Sequence, residues 1–80
     1  MSTKITGLTR MNVLAINEMF SRDEVTTTAT TATFNMDAQA ANHLVADTIG
    51  NLGGGNSHPR GSLYAVSRKL SKLAAKERVS

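Results

Sequence analysis

His43 and His58 are the side chains in this chain best suited to acid–base work or metal binding. Wound as a helix, His43 and Asp47 share a face at i,i+4 spacing, which would set an imidazole beside a carboxylate. A dyad needs a nucleophile within its reach, and zinc needs three or four ligands; neither complement stands at useful spacing. The pair therefore reads as two surface residues. His58 follows Ser57 in a loop and is better placed to begin a helix than to act as a base, since sequence neighbours do not make a triad. Gly53-Gly54-Gly55 invites a phosphate-loop reading, but that loop requires GxxxxGK[ST] after a strand, and no such Lys follows here. Asp23 and Glu24 are adjacent, and adjacent carboxylates do not converge on one substrate atom. The chain has no cysteine, so it offers neither a thiolate nor a disulfide. These residues point to a protein that is not an enzyme and needs no metal or cofactor.

The charges are more informative. Residues 1–58 carry Lys4, Arg10 and Arg22 against Glu18, Asp23, Glu24, Asp37 and Asp47, a balance of −2. Residues 59–80 carry Arg60, Arg68, Lys69, Lys72, Lys76 and Arg78 against Glu77 alone, a balance of +5. Polarised charge of this kind suggests that one end meets an acidic partner. On a helical wheel Leu63, Val66, Leu70, Leu73 and Ala74 fall within about 100° of arc, and Arg68, Lys69, Lys72 and Lys76 fill a similar arc opposite. Three readings of that basic face compete. It can be a solvated surface, a contact in which cations neutralise nucleic-acid phosphates, or a dock for an acidic protein surface or an anionic membrane. The apolar arc is narrow and lacks Trp and Phe, which makes the membrane the weakest partner.

The elements that must carry these residues follow from periodicity. From Thr9 to Arg22 a helix places Val13, Ile16, Met19 and Phe20 on one face and pairs Glu18 with Arg22 on the other, although Asn12–Ile16 also suits a strand. Val25–Phe34 holds six threonines in ten residues with no Gly or Pro, and threonine fits a pleated surface better than a helix. It reads as a strand, at least over its second half, that needs a partner from the N-terminal segment or a second chain. The competing reading is a Thr-rich linker. Asn35 or Asp37 then caps a helix whose buried face is Ala38, Ala41, Leu44, Val45, Thr48, Ile49 and Leu52, with Gln39, His43 and Asp47 opposite. The glycines at 53–55 stop that helix, and Pro59 suits the first turn of the next.

Eighty residues make one domain with a marginal core, here with Phe20, Phe34 and Tyr64 as its only aromatics. The expected fold is mostly α (α+β): a short Thr-rich strand or hairpin plus two to three helices, assembled as a homo-oligomer. Residues 1–8 are expected to be flexible, and 50–58 to form a Gly-rich connector. Phe34, Leu44, Ile49, Leu63, Val66, Leu70 and Leu73 are the expected core or oligomer contacts. No apolar leader or membrane-spanning stretch is visible, so a cytoplasmic protein is expected.

A strand ending Thr33-Phe34-Asn35-Met36, a helix through Leu44 to Leu52, a Gly-containing turn and a second helix from Pro59 resembles the ribbon-helix-helix family over roughly residues 27–75. The resemblance implies a dimer whose paired strands enter the DNA major groove, with Phe34 and Met36 facing inward and Ser62 near a phosphate. The chain departs from the family in showing only Thr and Ala outward on the strand, in a longer loop from Gly50 to Gly61, and in its first 24 residues. The leading expectation is a small nucleic-acid-binding regulator that acts by occupancy. Arg60, Arg68, Lys69, Lys72 and Lys76 would meet phosphates, and Thr27, Thr31 and Thr33 would read bases. The alternative is an accessory protein, of the kind phages encode, that binds and modulates a larger host protein.

Overall fold

The computed structural model describes residues 1–52 and 58–79, with side chains for 1–52 and 61–77. Among the described residues the chain forms β1 (Thr3–Ile5), α1 (Arg10–Met19), β2 (Val25–Thr27), β3 (Ala32–Phe34), α2 (Ala38–Asn51) and α3 (His58–Val79). This is an α+β fold in which the three strands make one antiparallel sheet in the order β1-β3-β2.

Alternation along the strands divides the sheet into two faces. Ile5, Val25, Ala32 and Phe34 join the helices in the core, while Lys4, Thr33 and Thr26 stand in register on the other face. Phe34 is fully buried and meets Phe20 edge to face, with ring centroids 6.3 Å apart at 71°. That geometry suits the opposed charge of ring face and ring edge.

The first eight residues, expected to be flexible, instead supply an edge of the sheet. Thr3, Ile5 and Leu8 are buried, and the Thr3 hydroxyl donates to the Met36 carbonyl at 2.8 Å. Gly7 then takes φ +69°, a left-handed turn that glycine adopts without the Cβ clash other residues meet. Thr9 caps α1, accepting from the Asn12 N–H at 3.2 Å while the Asn12 amide oxygen accepts from the Thr9 N–H at 3.1 Å. This is a capping box with Asn in the place of the usual Glu or Gln. The helical reading of this segment holds, but α1 ends before Arg22. Phe20 is already extended (φ −124°, ψ 153°), so the expected helical pairing of Glu18 with Arg22 does not arise. Glu24 has the role of turn-former instead, accepting from the Ser21 N–H at 3.1 Å.

The threonine run is a hairpin, although it contains neither Gly nor Pro. The Thr28 hydroxyl accepts from the Thr30 and Thr31 N–H groups at 3.4 and 3.2 Å, and the Thr28 N–H donates to the Thr31 carbonyl at 3.0 Å. A side-chain oxygen thus takes up turn amides that would otherwise point to water. The partner strand expected for this segment comes from within the chain on both sides of β3.

Asp37 caps α2 by accepting from the Ala40 N–H at 2.8 Å. Ala38, Ala41, Val45 and Ile49 are buried as expected, and Leu44, Thr48 and Leu52 are half-buried. The connector expected at 50–58 is shorter, because Gly50 and Asn51 belong to α2 and His58 to α3. The glycine stop at 53–55 lies outside the described residues.

Candidate functional site

The basic face of α3 is positioned by what the helix buries. Leu63, Val66 and Leu70 are fully enclosed and Ala74 nearly so, while Leu73 is half-buried against the same core. Each fully buried Leu or Val contributes about 1.5–3 kcal/mol, against about 0–1 kcal/mol for a surface ion pair. The apolar stripe therefore fixes the rotation of α3 about its axis, and the cations point outward as a consequence. The stripe that could have served a second chain is buried within this one.

Arg68, Lys72 and Lys76 are exposed on the opposite arc. Lys69, at the border of that arc, is half-buried, and its ammonium lies 3.5 Å from the position a Cβ on Gly7 would take. The long aliphatic stem lies along the protein while the charge reaches the β1–α1 turn. Glu77, the one acid of the tail, is directed at α2, where its carboxylate accepts from the Ala38 N–H at 3.3 Å. An anion beside a helix N-terminus is favourably placed against the helix dipole. The Arg60 side chain lies outside the described residues. From Arg68 to Lys76 the cations extend about 12 Å along the helix axis, close to the rise of three to four nucleotides in duplex DNA, at about 3.4 Å each.

Two other polar contacts hold α3 in place. The Asn12 amide donates to the Ser62 carbonyl at 3.0 Å, and the Ser67 hydroxyl donates to the Asn42 side-chain oxygen at 3.1 Å. Ser62 is thus half-buried against α1, a turn inside α3 instead of at its start.

The three threonines expected to read bases do not share a face. Thr27 points toward α1, its hydroxyl donating to the Asn17 amide oxygen at 3.0 Å. Thr31 is in the hairpin turn, its hydroxyl 2.6 Å from that of Thr28. Thr33 lies on the outer face of the sheet between Lys4 and Thr26. Phe34 and Met36 pack into or against the core, and β3 has both edges occupied by strands of its own chain.

His43 is exposed on the outer face of α2, in a shallow groove with Gln39, Asn42, Ala46 and Ala74 that Asp47 does not line. Among the described residues no group of three or more His, Asp or Glu side chains could hold a metal ion. No helix there is long and apolar enough to cross a membrane.

Arg10 was not singled out by its sequence context, yet it is exposed in the first turn of α1, three residues beyond the glycine that Lys69 approaches. The signal was available only as a lone cation after a Gly-x-Thr turn. Compared with known protein families, curated proteins and solved structures, the chain matches none.

Proposed function

We propose that the protein is a small, non-enzymatic nucleic-acid-binding regulator of the cytoplasm, acting by occupancy through the basic face of α3. The observation that carries this reading is the division of α3 itself. Its apolar stripe is used up inside the chain, which leaves Arg68, Lys72 and Lys76 exposed on the opposite arc with the half-buried Lys69 at its border. Cations so arranged neutralise phosphates and release the counterions condensed on them, which drives binding without any bond being made or broken. Both edges of β3 are taken by strands of its own chain, which favours a helix face over a ribbon paired through β3 as the contact.

The test is affinity for a mixed-sequence DNA duplex and a single-stranded RNA across a salt series. Two phosphate contacts removed by Lys72→Ala with Lys76→Ala should lower the slope of log K against log salt by about 2 on duplex DNA, about equally for every sequence. An unchanged affinity in that variant would show that α3 is not the contact.

A second reading rests on a different observation. Met11 and Leu14, at i,i+3 on α1, are 46 % and 47 % exposed and put two large apolar side chains on one face of the helix surface. An accessory protein that binds a larger host protein through its acidic surface or this face would show it by capture. One stoichiometric protein retained from nuclease-treated extract, with no affinity for DNA or RNA, would carry this reading over the first.

A further inference from the structure

The basic arc does not end at the helix. The carbonyl of Thr30, at the tip of the β2–β3 hairpin, accepts from the Leu8 N–H at 2.8 Å, which ties the tip to the β1–α1 turn. One residue earlier in that turn is Gly7, the residue the Lys69 ammonium approaches. Two residues later Arg10 opens α1, exposed and cationic. Two segments far from it in sequence thus adjoin the turn at Gly7–Arg10: α3 at Lys69, and the hairpin tip. The tip itself presents Thr28, Ala29 and Thr30, all exposed, small and uncharged. The nearest acids along the strands, Glu24 and Asp37, stand at the hairpin's other end.

We infer that the phosphate-binding surface is composite, running from Lys76 along α3 to Lys69, across the β1–α1 turn to Arg10, and onto the hairpin tip. The inference rests on the nucleic-acid reading above. Arg10 is its fifth cation. The tip is a close-approach element, where residues without charge or bulk let a phosphodiester backbone come down onto the turn and where Thr hydroxyls can donate to phosphate oxygens. The Thr30 and Thr31 N–H groups are engaged by the Thr28 hydroxyl, which fixes the tip within the chain itself.

The experiment uses whichever of the DNA duplex or the RNA the wild-type chain binds more tightly. Arg10→Ala should reduce the salt slope by about 1, and Ala29→Lys should raise it by about 1, because the protein then neutralises one phosphate fewer or one more. Asp23→Asn adds the same unit of positive charge at the far end of the hairpin and should leave the slope unchanged. Circular dichroism confirms that each variant is folded. If Lys72→Ala with Lys76→Ala weakens binding while Arg10→Ala and Ala29→Lys keep the wild-type slope, the composite surface is wrong and the helix acts alone. If Asp23→Asn shifts the slope as much as Ala29→Lys does, net charge is being read and the inference also fails. If the double lysine variant changes nothing, the reading beneath it has failed instead.

Discussion

Asn12 does two jobs at once, and neither partner can take over if it is lost. Its oxygen accepts from the Thr9 N–H that opens α1, and its amide donates to the Ser62 carbonyl of α3, all within a site that leaves Asn12 only 8 % exposed. Asn12→Ala strands a part-buried donor and acceptor, a loss of about 1–3 kcal/mol. Urea unfolding should show it as a lower midpoint at constant slope; a midpoint unchanged from wild type would mean water replaces the amide at no cost. The role was not legible beforehand. The local half, three residues after a Thr, has the spacing of a capping box but the wrong residue type, and the other half is 50 positions away.

At the scale of elements, the hairpin shows how one hydroxyl can stand where a turn-forming Gly would be expected. Thr28→Val preserves the β-branched shape but removes the acceptor for the Thr30 and Thr31 N–H groups, and should lower stability by about 1 kcal/mol. Thr33→Val, on the outer face of the neighbouring strand, should change it little, and thermal unfolding of the two side by side checks the contrast. What could be read from the sequence here divides by range. The buried faces of α2 and α3 were visible because helical periodicity is local, and Asp37 was visible as one of two candidate caps, beside Asn35, because its target lies three residues on. The hairpin was legible only as an alternative to a single strand, because a run of threonines carries no mark of where it folds back. β1 was hidden because three residues carry no period, and its partner is set by pairing Thr3 with Phe34. For the same reason the lysines of α3 could be named in advance while Arg10 could not: its candidacy depends on the approach of Lys69 to Gly7, three residues before it.

Across the whole molecule, the division of labour is between a core that uses every large side chain of α3's inner face and a surface whose positive charge gathers on its outer one. The sheet contributes in a different way. β2 and β3 close over a four-residue turn, but β1 pairs with β3 across the whole of α1 and β2, so its loop closure costs more entropy. Docking of β1 is therefore expected late in folding. Ile5→Val, about 0.5–1.5 kcal/mol destabilising at a position 3 % exposed, should speed unfolding and leave the refolding rate as it is in stopped-flow measurements. A slowed refolding rate would place β1 in the nucleus instead. The turn that follows β1 holds Gly7 against the Lys69 ammonium, so the composite surface inferred above would assemble only once β1 has docked.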